Sequence, residues 1–249
     1  MTDNTPFFLV GCVRSGTTLL RDLLRKHPRL EAPEETHFFR WADPYGSDRY
    51  LRYYRKSALF ERHIALDGVD KFSFYYTLNE STDRKNMSDI YGRLYLQAQG
   101  NEDGRWFDKT PQNIYGVPLI NSYYPDSRFV HIYRNPLNVV TSLMEGKVMP
   151  ATDIKAGINF WVEAMRIIEQ VKPLLGDRLL EVRYESLCEE PEKTLKNLLE
   201  SLGEDTSTYP FSKGMAHPEK NKYRKTLNKN QIDNIKSRCE PYFSYYGYS

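Results

Sequence analysis

The chain has 249 residues, 40% of them hydrophobic, which is enough to form one large α/β domain around its own core. Its formal net charge is +2, so no overall field selects nucleic acid and any cationic site has to be local. Three cysteines (Cys12, Cys188 and Cys239) are too few and too scattered for a disulfide framework or a cysteine-based zinc site.

Residues 7–11, Phe-Phe-Leu-Val-Gly, form an apolar, β-prone run that predicts a buried parallel strand. No basic-then-apolar leader precedes this strand, and no run in the chain is long enough to span a bilayer, which predicts a cytoplasmic protein. Residues 11–18 read Gly-Cys-Val-Arg-Ser-Gly-Thr-Thr. They keep the glycine spacing of the phosphate-binding loop G-x-x-x-x-G-K-[ST], but Thr17 stands in place of the lysine and Arg14 supplies the charge from within the loop. Leu19, Leu20, Leu23 and Leu24 then recur at helical spacing up to His27-Pro28. Strand, glycine loop and helix together offer an anion the backbone N–H groups of Arg14, Ser15, Gly16, Thr17 and Thr18. Without the lysine that reaches β- and γ-phosphates, the predicted ligand is a nucleotide anion other than a magnesium triphosphate.

Residues 33–39, Pro-Glu-Glu-Thr-His-Phe-Phe, set two carboxylates beside a histidine and an aromatic pair. Residues 40–104 read as a helical insertion over the strand ends. The chain has 19 tyrosines, many of them between 45 and 95, where they suit either packing of the insertion or an acceptor-binding surface. Residues 105–109 predict a strand running into Asp108-Lys109-Thr110-Pro111. Residues 128–133 predict another, ending at Arg134, after which Asn135 caps a helix with Pro136 in its first position. Ser142 falls about two turns into that helix. An arginine fork and a hydroxyl converging there suit a phosphate dianion, although the pair also suits a capped sheet edge beside a solvated helix face. A long amphipathic helix follows over 153–171, a strand over 178–183, a helix over 191–202 stopped by Gly203, a basic turn-prone stretch over 217–225 and a last helix over 227–239. The alternation predicts an α/β fold across 1–249: a P-loop-type, doubly wound parallel sheet flanked by helices. Three polar loops, 11–18, 108–111 and 134–142, each follow a strand, where ligands bind in such sheets.

Three segments carry a resemblance. Val13-Arg-Ser-Gly-Thr-Thr-Leu-Leu20 resembles the 5′-phosphosulfate loop of sulfotransferases that use 3′-phosphoadenosine 5′-phosphosulfate (PAPS). Residues 128–142, Arg-Phe-Val-His-Ile-Tyr-Arg-Asn-Pro-Leu-Asn-Val-Val-Thr-Ser, resemble their 3′-phosphate motif. Val182-Arg-Tyr-Glu-Ser-Leu187 followed by Pro191 is similar to their late strand-to-helix segment. The order and separations agree over residues 7–202. The resemblance implies PAPS as co-substrate and PAP as product, with Arg134 and Ser142 on the 3′-phosphate and Tyr184 on the same nucleotide. It also implies sulfuryl transfer to a hydroxyl acceptor.

The base for that transfer is expected to be Glu35. Glu34-Glu35-Thr36 resembles the local pattern of tyrosylprotein sulfotransferases, and Glu35 to Phe39 resembles a Glu-x-His-Phe-Phe of heparan-type enzymes. Burial would raise its pKa toward neutrality, as a general base requires. His37 is the rival, since many cytosolic members of the family use histidine. Lys109 either neutralises charge on the leaving oxygen, as the family's basic residue at a comparable position implies, or pairs with Asp108. Arg14 is placed to assist from the loop. Arg224 is the phosphate contact that a related basic loop implies. Val13 departs from the proline that many relatives carry there.

No metal is expected. A transferring sulfuryl group carries one negative charge fewer than a γ-phosphoryl group, and the 129–133 strand ends in arginine rather than a magnesium-binding aspartate. The acceptor is expected to be a small molecule, a glycan or a peptide tyrosine. The residues alone leave open a P-loop kinase with an altered loop and a non-catalytic nucleotide-binding module.

Overall fold

The computed structural model describes residues 4–39, 43–146 and 151–249. Its centre is a five-stranded sheet in the order β2-β3-β1-β4-β5, with β1 at Phe7–Val10, β2 at Leu30–Glu31, β3 at Arg105–Lys109, β4 at Phe129–Tyr133 and β5 at Leu179–Arg183. Every pairing is parallel. The register sets Leu9 opposite Lys109 on one side and opposite Val130 on the other. This is the α/β fold that the alternation of patterns predicts.

Period-two alternation sends the apolar residues of β1 to both faces of the sheet. Phe7 and Leu9 pack with Leu20, Leu23 and Leu24 of α1 (Thr17–Leu24) and with the leucines of α10 (Pro191–Leu202). Phe8 and Val10 face the opposite core, with α7 (Pro136–Glu145), α8 (Ile154–Leu175) and α12 (Lys229–Arg238). All four side chains of β1 are fully buried, each worth roughly 1.5–3 kcal/mol. A strand buried on both faces reads as a continuous apolar run, and that is why 7–11 was legible.

The insertion forms four helices: α2 (Asp48–Lys56), α3 (Ala58–Asp67), α4 (Lys71–Glu80) and α5 (Arg84–Gln99). Residues 40–42 of the predicted span lie outside the described residues. Ser47, Ser57, Asp70 and Asp83 each cap one of these helices through a side-chain oxygen. Tyr50, Tyr54, Tyr91 and Tyr95 are buried, and the first three join Phe38, Phe60 and Phe74 in a chain of tilted and edge-on ring contacts. Most of these tyrosines therefore serve packing. Burial also holds the Cys12 thiol well above its ordinary pKa, which keeps it protonated and unreactive.

Short helices complete the chain: α6 (Val117–Tyr123), α9 (Tyr184–Glu189), α11 (Tyr223–Thr226) and α13 (Tyr242–Tyr245). After α13, Tyr246 lies 4.5 Å from the Tyr133 ring and donates to Glu169 at 2.6 Å, fastening the chain's end to β4 and α8. Among the described residues no helix is long and apolar enough to cross a membrane.

Candidate functional site

The loop between β1 and α1 has the shape its sequence implies. Arg14 takes φ +70° and Gly16 φ +98°, and between them the Ser15 N–H donates back to the Cys12 carbonyl at 3.1 Å, so of the amides expected to meet an anion that of Ser15 is already taken. α1 begins at Thr17 with no side-chain cap and no acidic residue in its first turn, leaving its leading N–H groups for an anion. Ser15 and Thr17 are buried and Thr18 is exposed. The Ser15 hydroxyl is buried without a hydrogen-bond partner among the described residues. Gly16 is needed twice over. Its φ is left-handed, and a Cβ there would fall into the ring of Tyr184 at the start of α9. Gly11 allows a second close approach, since a Cβ there would lie 2.5 Å from the Ile132 carbonyl oxygen.

The end of β4 closes onto this loop. Arg134 donates from Nη1 to the Arg14 carbonyl at 3.0 Å, and its guanidinium lies 4.3 Å over the Tyr184 ring. Arg14 Nε donates to Ser142 Oγ at 3.0 Å. The Trp161 indole of α8 holds the Arg134 carbonyl at 2.9 Å. Arg14 and, more than a hundred residues later in sequence, Arg134, Ser142 and Tyr184 thus form one cluster. They adjoin a cavity of about 200 Å³ whose walls include Arg134, Asn138, Ser142 and Tyr184 on one side and His217, Glu219, Lys220 and Lys222 on the other. Arg224 sits on α11 against Tyr223 and is not among the cavity's lining residues, where Lys220 and Lys222 supply the loop's positive charge. Glu219, which sequence reasoning missed, occupies the Arg134 guanidinium.

A second cluster forms where β3 ends. Lys109 Nζ lies 2.8 Å from Glu35 Oε1, with only 3% of the lysine side chain exposed. His37 Nε2 lies 3.8 Å from the other Glu35 oxygen. His37 is buried, with φ +57°, and its ring packs against Tyr53 and His63. Glu35 keeps 26% of its side chain exposed, so the burial expected for it does not occur. That burial falls on the neighbouring Asp108, whose carboxyl is pushed up to about 6 by desolvation, against the opposing pull of hydrogen bonds from Thr36 and Thr110. Lys109 therefore faces Glu35, while Asp108 points the other way along the strand to Thr36 and Asn113.

The insertion holds this acidic segment in place. Asp67, at the end of α3, accepts the Glu34 backbone N–H at 2.8 Å and the Tyr91 hydroxyl at 2.6 Å. His63 Nδ1 lies 3.1 Å from the Glu35 carbonyl. Asp67 too is raised to about 6, chiefly by burial. No local pattern in the sequence announces Asp67, His63 or Glu219, because each acts on a segment tens of residues away. Among the described residues no group of three or more His, Cys, Asp or Glu side chains is placed to hold a metal ion.

Comparison with known proteins gives a consistent result. A family model described as "Sulfotransferase family" matches residues 6–208. The nodulation protein NoeE of Sinorhizobium fredii is 26% identical over 91% of this chain. This chain spans 58% of that protein's length, and 25% and 64% of two further curated relatives. The sulfotransferase domain of the Synechococcus PCC 7002 olefin synthase superposes over 100% of this chain and 97% of its own, with a TM-score of 0.68 and 24% identity. A mouse sulfotransferase complexed with PAP covers 95% of this chain and 84% of its own, with a TM-score of 0.53 and 13% identity.

Proposed function

This chain belongs to the sulfotransferase family, and we propose that it moves a sulfuryl group from PAPS to an acceptor hydroxyl with Glu35 as general base. The observation that carries this reading is the position of two clusters at the ends of adjacent strands. An anion-binding cluster of loop amides, Arg14, Arg134, Ser142 and Tyr184 follows β1 and β4, and a carboxylate–ammonium pair stands where β3 ends. A structural neighbour that holds PAP supports the choice of donor.

In this reading the amides of Arg14, Gly16, Thr17 and Thr18 and the hydroxyls of Thr17 and Thr18 hold the 5′-phosphosulfate, the Ser15 amide being taken by the Cys12 carbonyl at 3.1 Å. Arg134, Ser142 and the Tyr184 edge take the 3′-phosphate, where a planar guanidinium grips two oxygens at once. The acceptor oxygen forms a bond to sulfur while the bond from sulfur to the 5′-phosphate oxygen breaks. Glu35 takes the acceptor proton, and PAP leaves. Lys109, paired with Glu35 at 2.8 Å before the transfer, neutralises charge on the departing oxygen, with Arg14 assisting from the loop. His37 is buried 3.8 Å from the Glu35 carboxylate, whereas the partly exposed Glu35 can meet an acceptor directly. A small-molecule, glycan or peptide tyrosine hydroxyl fits this chemistry.

Transfer of labelled sulfate from PAPS to a panel of hydroxyl acceptors tests the reading. Glu35→Gln is expected to lower turnover by about 10²–10⁴-fold while PAP affinity stays within about twofold of wild type. Unchanged turnover would remove Glu35 from the mechanism.

A further inference from the structure

Building on the donor site proposed above, we infer that Glu219 is an internal anion that occupies the 3′-phosphate position and competes with the nucleotide for Arg134. The geometry is that of a ligand contact made within the chain. Glu219 Oε2 accepts from Arg134 Nε at 2.6 Å and also sits against Nη2, so a single carboxylate oxygen bridges two nitrogens of the guanidinium. Nη1 is turned away to the Arg14 carbonyl, so the carboxylate holds the fork that remains. Only 8% of the Glu219 side chain is exposed, an unusual degree of cover for a glutamate on a basic, turn-rich segment.

The segment is built to present that carboxylate. Asn221 takes the left-handed conformation, φ +46°, and its backbone N–H donates to Glu219 Oε1 at 3.2 Å. Asn138 of α7, one turn before Ser142, donates to Asn221 Oδ1 at 3.1 Å and ties the segment to the wall of the cavity. Lys220 and Lys222 line the same cavity without engaging Arg134, and Lys222 lies 3.7 Å from Glu145. The segment therefore brings one anion inward against Arg134 and carries two cations beside it.

A phosphate dianion offers the guanidinium more charge and more acceptor oxygens than a carboxylate, so it can take the fork and push Glu219 out. Lys220 and Lys222 are then left near the incoming charge. A nucleotide with a bare 3′-hydroxyl has nothing to exchange for the ion pair and leaves it closed. The carboxylate thus lowers apparent affinity for the 3′-phosphorylated nucleotide, as any competing closed state does, and leaves binding of a nucleotide without that phosphate unchanged.

Calorimetric titration with PAP and with 5′-AMP, on wild type and Glu219→Gln, tests this. The variant is expected to bind PAP about tenfold more tightly and 5′-AMP within about twofold of wild type. Glu219→Ala, which also removes the charge, is expected to shift PAP affinity in the same direction. Wild type that prefers PAP while both variants bind it equally or more weakly would overturn the role of Glu219 and leave the donor reading standing. Failure of all three proteins to prefer PAP over 5′-AMP would overturn the donor reading, and the role of Glu219 with it.

Discussion

Glu35 and Gly16 are the two residues on which the chemistry and the geometry most directly depend. Glu35 is the carboxylate that is both partly open and 2.8 Å from a buried lysine, a placement that leaves it reachable. His37 is sealed in a left-handed backbone turn, a strained conformation of the sort that surrounding structure has to impose. Gly16 carries a different demand, because its left-handed φ and the Tyr184 ring together exclude any side chain. Gly16→Ala is expected to cost on the order of 2 kcal/mol in folding stability and to displace the ring on which Arg134 rests. Thermal denaturation should show a lowered Tm, and titration should show PAP affinity falling about tenfold or more. A variant that keeps both Tm and affinity would mean that Tyr184 does not constrain the loop.

At the scale of elements, α3 and β3 each lend a buried carboxylate to the segment that carries Glu35. Asp67 grips the Glu34 backbone and Asp108 grips the Thr36 side chain. Burial raises both to about 6 from an ordinary 3.8. Each group therefore binds its proton more tightly in the folded chain than in the unfolded one. The stability it contributes is fully present below about pH 4 and is lost as pH rises through about 6. Asp67→Asn removes one of these groups. Urea unfolding across this range should show the variant gaining on wild type by about 2–3 kcal/mol between pH 4 and pH 7. A difference independent of pH would mean that Asp67 is not held protonated by burial.

Elements differed in how plainly the sequence marked them. β1, β4 and α10 were legible because an apolar run or a leucine stripe records burial directly, and Gly203, at φ +81°, stops α10 where expected. β2 is only Leu30–Glu31, too short to leave a pattern. In α4 the exposed Phe72 and Tyr76 alternate with the buried Phe74 and Leu78, so apolar residues there do not trace the packed face. The candidate site divides in the same way. Arg14, Arg134, Ser142 and Glu35 lie in motifs next to strand ends. Asp67 and Glu219 were invisible because their partners lie 33 and 85 residues away.

For the whole molecule, the strand order is what turns separate motifs into one site. Placing β1 between β3 and β4 brings the phosphate-type loop next to the Arg134 turn on one side and the Lys109 turn on the other. The helical insertion braces the Lys109–Glu35 side, and the 217–222 segment covers the Arg134 side. A lysine-free loop, cationic side chains from distant segments and a carboxylate paired with a lysine all fit a sulfated nucleotide better than a magnesium triphosphate. Calorimetric titration with PAP and with ATP in EDTA, and with ATP again in magnesium, tests that claim most directly. PAP is expected to bind without metal and at least about a hundredfold more tightly than ATP under either condition. Magnesium-dependent ATP binding tighter than that of PAP would contradict the account and mark the chain as a phosphotransferase.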